Sequence, residues 1–307
     1  MKRFYKIVTI MFLVFFAGII LFLGITTNNH NNNFKSNQVG TNHYSKKIDN
    51  NKKDKDNHSQ TFGVTKFNKI NFDIYVPDIQ VSHGNKYQVT LAGEDLNKIK
   101  VKVKNQVLTI SDAGRQAFAH DNGTHQDNGS YQVFITVPDI NAIKEMMGYS
   151  HDGDIYLNDV SISNINFDTK YGDIVTDNVK IQDSKLRLAN GDLKVKNSTL
   201  ANSSIHSDNS DMFITNSKFK VTAFLTDGDV KIKNSQMLGN STFKTVDGDF
   251  KMINPSQMSY YLSTDPTSTI KFRGNNKLSH FLSHFSVVVD KAPTLKVTSK
   301  YGDIVIN

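Results

Sequence analysis

One short pattern returns along the second half of the chain: Gly-Asp, an apolar residue, a spacer, a second apolar residue, then Asn. It is seen in "RLANGDLKVKNS", "FLTDGDVKIKNS" and "KTVDGDFKMINP", and with serine for glycine in "HSDNSDMFITNS". Counted on the aspartate, the copies fall at Asp154, Asp173, Asp192, Asp211, Asp229 and Asp249, at intervals of 19, 19, 19, 18 and 20 residues. The motif reappears at Asp303, 54 residues later, room for three further coils. A period this short cannot hold a helix pair or a propeller blade, and it suits one turn of a β-solenoid.

The columns of the repeat agree. Position +1 is Ile155, Ile174, Leu193, Met212, Val230 and Phe250, and position +3 is Leu157, Thr176, Val195, Ile214, Ile232 and Met252. These face one side of a strand, because side chains alternate. Further apolar residues fall at +8 (Ile162, Ile181, Leu200, Phe219, Met237) and near +13 (Phe167, Leu186, Ile205, Phe224, Phe243). No single turn buries its few apolar residues, whereas stacked turns share one continuous core. The expectation is an all-β, β-solenoid-like stack of eight or nine coils over residues 151–307, a rod of ~40 Å at ~4.8 Å per strand.

Position +5 is Asp159, then Asn178, Asn197, Asn216, Asn234 and Asn254, which predicts an asparagine ladder from coil to coil. The glycines Gly153, Gly172, Gly191, Gly228, Gly248 and Gly302 are expected to supply corners with φ > 0. Each aspartate is expected to cap its own turn. Stacked carboxylates repel unless backbone amides, lysines or cations hold them. The aspartate column is therefore also a candidate cation site, although neither the calcium nonapeptide period nor an EF-hand loop is present. No cofactor is called for.

Composition supports the class. Glutamate occurs only at Glu94 and Glu145, while Asp, Asn, Ser and Thr abound, a balance of strands and turns. Without cysteine there are no disulfides or thiolate metal sites. The net charge of +7 is concentrated in residues 1–61, leaving about +1 for residues 62–307. A nucleic-acid binder carries its basic face on the folded part, so that class is set aside.

Residues 1–27 hold Lys2, Arg3 and Lys6, then an uncharged run from Ile7 to Ile25. Nineteen residues at ~1.5 Å each span ~28 Å, enough for a transmembrane signal anchor, which is favoured over a cleaved signal peptide because Gly24-Ile25-Thr26 is a poor cleavage site. The basic flank predicts a cytoplasmic N-terminus and an extracellular remainder. Residues 28–61, rich in Asn and Lys, read as a disordered tether.

Residues 62–150 carry alternating strand-like runs: Ile70–Val76, Tyr87–Gly93, Ile99–Lys104, Leu108–Ser111 and Tyr131–Val137. Within them "YVPDIQV" and "TVPDINAI" echo each other. His120 and His125 lie in a Gly/Asn-rich stretch that reads as a solvated loop rather than a metal site. In "KLSHFLSHFSVVVD", Leu278, Phe281, Leu282 and Phe285 have helical spacing, with His280 and His284 on another face, and predict a short helix or loop capping the stack.

Together, "INFDIYVPDIQV", "VFITVPDINAIKEMMGYSHDGDIYL", the Gly-Asp repeats and the closing "LKVTSKYGDIVIN" resemble the bacterial putative-adhesin β-strand-repeat domains of unknown function, over about residues 62–307. The resemblance implies a secreted or membrane-attached all-β solenoid, and some members accompany cell-envelope stress systems. It brings no catalytic residues. The expected function is a non-enzymatic surface protein binding an envelope polymer or a surface protein, with an accessory role in envelope stress as the alternative. A polysaccharide-acting enzyme is disfavoured because the repeat region holds few arginines (Arg187 and Arg273) and its aspartates sit at a fixed turn. Tyr149, Tyr171, Tyr260 and Tyr261 are candidate sugar platforms.

Overall fold

The structure, a computed structural model, describes residues 58–93, 96–112, 131–272 and 283–307. All of them belong to one compact unit spanning 51–307. The anchor and nearly all of the tether lie outside the described residues, as do His120, His125, Arg273 and His280. Among the described residues no helix is long and apolar enough to cross a membrane.

Each repeat folds into two strands. A short one, such as Ile155–Asn158, Ile174–Asp177 or Leu193–Lys196, joins a first sheet. A longer one, such as Ser161–Thr169, Lys180–Leu188 or Thr199–Asn209, joins a second. Successive coils pair parallel and in register: Ile155 meets Ile174, which meets Leu193, which meets Met212. The +1 and +3 columns are buried between the sheets. Each such Ile, Leu or Val removed from water contributes about 1.5–3 kcal/mol, which no isolated coil accumulates in sufficient number.

The +13 column holds as far as Ile205 and then departs. Ile205 pairs with Ala223, and Phe224 stands outward opposite His206. Val221, Ala223 and Leu225 are buried in that coil, while Phe224 is exposed, so its expected place in the core is corrected. The 19-residue coils carry two successive residues off the inward face at Ser163–Asn164, Gln182–Asp183 and Ala201–Asn202. In the 18-residue coil a single residue, Lys220, replaces that pair, and the ladder registers the shift between Leu200 and Ser203. Counting from the aspartate therefore slips by one place beyond the bulge.

The stack is longer than the repeats and is not sequential at its ends. Lys69–Ile74 and Asp78–His83 form one rung before Glu145–Ser150 and Ile155–Asn158, and Val107–Asp112 with Gln132–Val137 forms another. Pro77-Asp78 thus occupies the corner that Gly153-Asp154 fills in the next rung, whereas Pro138-Asp139 leaves a strand and Asp139 accepts the Asn141 amide at 2.9 Å. The two "VPD" stretches are not equivalent. Gln88–Gly93, His58–Gly63 and Ile99–Lys104 close this end as antiparallel strands, so the last residues assigned to the tether, His58 to Thr61, are strand.

At the other end, Phe250–Ile253 pairs directly with the C-terminal strand Ile304–Ile306, and Ser241–Asp247 pairs with Thr294–Ser299. No coil intervenes between the Asp249 and Asp303 motifs. The chain instead lays Ser259–Ser263 and Ile270–Phe272 one rung further out, then returns to fill the gap. His284–Val287 is an antiparallel strand on Ser259–Ser263, which corrects the helical reading of that part of the segment. Ten parallel rungs result, about 43 Å along the stack.

Candidate functional surface

The aspartates form a ladder between coils. Asp154 Oδ1 accepts the backbone N–H of Asp173 at 2.8 Å, Asp173 that of Asp192 at 2.8 Å, and Asp192 that of Asp211 at 3.1 Å. Asp211, Asp229 and Asp249 repeat the bond to Asp229, Asp249 and Asp303, each at 2.8 Å. Asp78 begins the ladder on Asp154, and Asp303 ends it on Thr269. Each carboxylate thus caps the next coil rather than its own turn. At three of these aspartates Oδ2 meets a side chain: Tyr156 donates to Asp154 at 2.7 Å, and Lys194 Nζ lies between Asp173 and Asp192 at 2.5 and 3.3 Å. Burial works to lower the Lys194 pKa, but those two carboxylates outweigh it and the net shift is upward. Asp78 is pushed up to about 6, chiefly by burial and further by the charge of Asp154.

The left-handed corner belongs to the asparagines. Asp159, Asn178, Asn197, Asn216, Asn234 and Asn254 all have φ between 50° and 55°. Of the motif glycines only Gly228 and Gly248 have positive φ, which corrects the expected role of Gly153, Gly172, Gly191 and Gly302. Glycine is needed there for space: a Cβ on Gly191 would lie 2.0 Å from the Gly172 carbonyl oxygen, and one on Gly172 would lie 2.1 Å from that of Gly153. The asparagine ladder is partial. Asn254 bonds Asn234 at 2.8 Å, Asn234 bonds Asn216 at 3.3 Å and Asn178 bonds Asp159 of the same column at 2.5 Å, but Asn197 turns aside to Asp177.

A third column escaped the reading of the repeat. Ser198, Ser217 and Ser235 follow the corner asparagines and are buried. Ser198 Oγ accepts the Val179 amide, Ser217 Oγ that of Ser198, and Ser235 Oγ that of Ser217, at 3.0–3.1 Å. The Asn-Ser pair in three successive coils was the available signal.

Among the described residues no three His, Asp or Glu side chains come together in a way that could hold a metal ion. Tyr260 is buried at 1% exposure and is no platform, while Tyr149, Tyr171 and Tyr261 stand exposed. His284 lies on the edge strand beside Ser283. Arg187 sits near the end of the strand Lys180–Leu188 on the outer face of the second sheet, beside Asp168 in register.

No curated protein matches the chain. Among solved structures it is similar to a putative adhesin from Bacteroides fragilis NCTC 9343 at 17% identity, covering 82% of this chain and 97% of that one, TM-score 0.47. It is also similar to a putative adhesin from Parabacteroides distasonis ATCC 8503 (11% identity, 82% and 98% covered, TM-score 0.45). A putative lipid binding protein from the same strain gives 10% identity, 82% and 96% coverage and a TM-score of 0.44. The Toastrack DUF4097 family model matches residues 67–307, and with the Gly-Asp coils stacked as described, the chain belongs to that family.

Proposed function

We propose that this chain is a non-enzymatic, membrane-anchored extracellular protein whose stacked sheets bind cell-envelope material. The observation that carries the reading is the aspartate ladder. The recurrent carboxylate of the repeat has an oxygen committed to a backbone amide at every step from Asp78 to Asp303. Carboxylates fixed in this way build architecture, whereas general acid–base work needs carboxylates free to exchange protons with a substrate in a cleft. What the fold offers outward is two broad strand faces. The apolar run Ile7–Ile25 behind a basic N-terminus supports the anchor, and the Asn/Lys-rich stretch supports a tether that keeps the faces near the membrane.

The test is retention of the full chain, in detergent, on isolated envelope polymers and whole cells, with sugar release measured alongside. Retention without release is expected. Failure to bind either material, or release of sugars, would overturn the proposal. A deletion that alters an envelope stress response while leaving attachment intact would favour an accessory role in signalling instead.

A further inference from the structure

The outer face of the second sheet is not uniform. One column of outward residues runs in register through Lys185, Ser204, Thr222, Thr242 and Lys296. Its middle three members are short hydroxyl side chains, and both ends are lysines. The column on one side carries larger groups, Arg187, His206, Phe224 and Lys244, again in register. His206 and Phe224 stack at 5.3 Å between ring centroids, 12° apart, and both stand in solvent. On the other side Lys220 Nζ donates to Asn202 Oδ1 at 2.9 Å, forming a polar wall. Small residues between tall ones make a trough. From Lys185 to Lys296 it covers four rung spacings, about 19 Å.

Both ends of this trough open into depressions. One, of about 350 Å³, is lined by Met147, Asn166, Asp168, Lys185 and Arg187 among others. The other, of about 480 Å³, includes Tyr261, Ser286 and Lys296. Met147 and Asn166 continue the hydroxyl column beyond Lys185, and Tyr261 and Ser286 continue it beyond Lys296. The two hollows and the trough therefore lie on one line along the stack, at right angles to the strands.

We propose that this line is the seat of a linear acidic polysaccharide; the inference rests on, and narrows, the envelope-binding function above. A straight path crossing many rungs fits an extended polymer better than a compact partner. The hydroxyl floor and the Asn202 amide offer hydrogen bonds to sugar hydroxyls, and the Phe224 ring edge offers an apolar wall. Lys185, Arg187, Lys220, Lys244 and Lys296 meet carboxylates. The nearby acids are Asp168, beside Arg187, Asp183, which accepts from Asn202 Nδ2 at 3.1 Å, and Asp208, 3.7 Å from His206 Nε2. Cations outnumber them along the trough. A nucleic acid is the less favoured occupant, because a single exposed Phe–His stack provides no succession of base platforms.

Titration of the full chain in detergent with polygalacturonate, neutral dextran and a single-stranded oligonucleotide tests this. Polygalacturonate is expected to bind and dextran not to. Lys185→Gln and Lys244→Gln should each weaken binding about fivefold, roughly one charge-assisted contact. Thr222→Tyr, which fills the trough without changing charge on an exposed strand position, should weaken it at least about tenfold, and Lys231→Gln on the first sheet should leave it unchanged. The proposal falls if polygalacturonate does not bind, if Thr222→Tyr binds as well as the parent, if Lys231→Gln costs as much as Lys244→Gln, or if the oligonucleotide binds more tightly. Retention on envelope polymers that is indifferent to Thr222→Tyr would remove this site and leave the wider function standing.

Discussion

Replacing Gly191 by alanine tests whether the glycine column is a matter of space. Gly191 has no positive φ, so alanine there meets no conformational penalty. What it meets is the Gly172 carbonyl oxygen, 2.0 Å from where its Cβ would sit, with the carbonyl carbon at 2.5 Å. Ordinary contact requires more than 3 Å, so the two corners must part by over an ångström. Bonds across that gap include Asp192 N–H to Asp173 Oδ1 at 2.8 Å, Ile174 N–H to the Asp192 carbonyl at 2.9 Å and Asn190 N–H to the Lys170 carbonyl at 2.9 Å. Stretched that far, two or three are lost at about 1 kcal/mol each, giving a destabilisation of about 2–3 kcal/mol. Gly228→Ala should cost more, because its Cβ would lie 2.2 Å from the Ser210 carbonyl oxygen and its φ is also +134°. Urea unfolding of the full chain in detergent, followed by circular dichroism, measures both. If Gly191→Ala comes within about 0.5 kcal/mol of the parent, the ordinary surface range, the close-approach reasoning is wrong. Ser210 shows how the column takes a side chain: its amide donates to the Asp227 carbonyl, and the next two motif glycines adopt positive φ.

Three further outcomes follow from the same ladders. Asp78 has its pKa raised to about 6, so the folded state keeps a proton that the unfolded chain releases near 3.8. The associated stability is complete below pH 3.8 and is lost as pH rises through 6. Asp78→Asn keeps an oxygen for the Asp154 amide without the buried charge; it should stabilise by about 1–2 kcal/mol at pH 7, after discounting for partial exposure, and by nothing at pH 3.5. A gain equal at both pH values would exclude charge burial as the cause. At Asn197, φ 50°, alanine should cost about 1–2 kcal/mol and glycine no more than about 0.5, with the order read from denaturant midpoints. Millimolar calcium should leave Tm unchanged, since Oδ1 of each ladder aspartate already holds an amide; a rise would restore the cation site.

How much of this fold is legible in the residues depends on whether a feature repeats. The +1 and +3 columns recur in every coil, and the sheet they build is the one expected. Phe224 falls outside the core because its coil lacks the outward pair that Ala201–Asn202 supplies in the coil before, and Ala223, which takes the inward place, is too small to announce itself as core. The aspartate is no fixed origin for residues that lie beyond a bulge. The C-terminal exchange was illegible for a different reason. Spacing records how much chain separates Asp249 from Asp303, not which rung is filled first, and parallel pairing is satisfied by any strand arriving in register. Chain order and spatial order part where a connection is long enough to step over a vacant rung and come back. The glycine and asparagine roles were exchanged because both residue types tolerate left-handed backbone, and composition alone does not say which one is doing so. Stacking decides it. A motif glycine such as Gly191, on which a Cβ would lie 2.0 Å from the preceding coil's carbonyl oxygen, has no room for a side chain, while the residue at the opposite corner turns left-handed with room for an amide to reach its neighbour. The same rule locates the binding trough, which needs short outward side chains in successive coils between columns of long ones, as Ser204, Thr222 and Thr242 provide. In a solenoid a site is legible as a column, and it can be read only after the bulges have been placed.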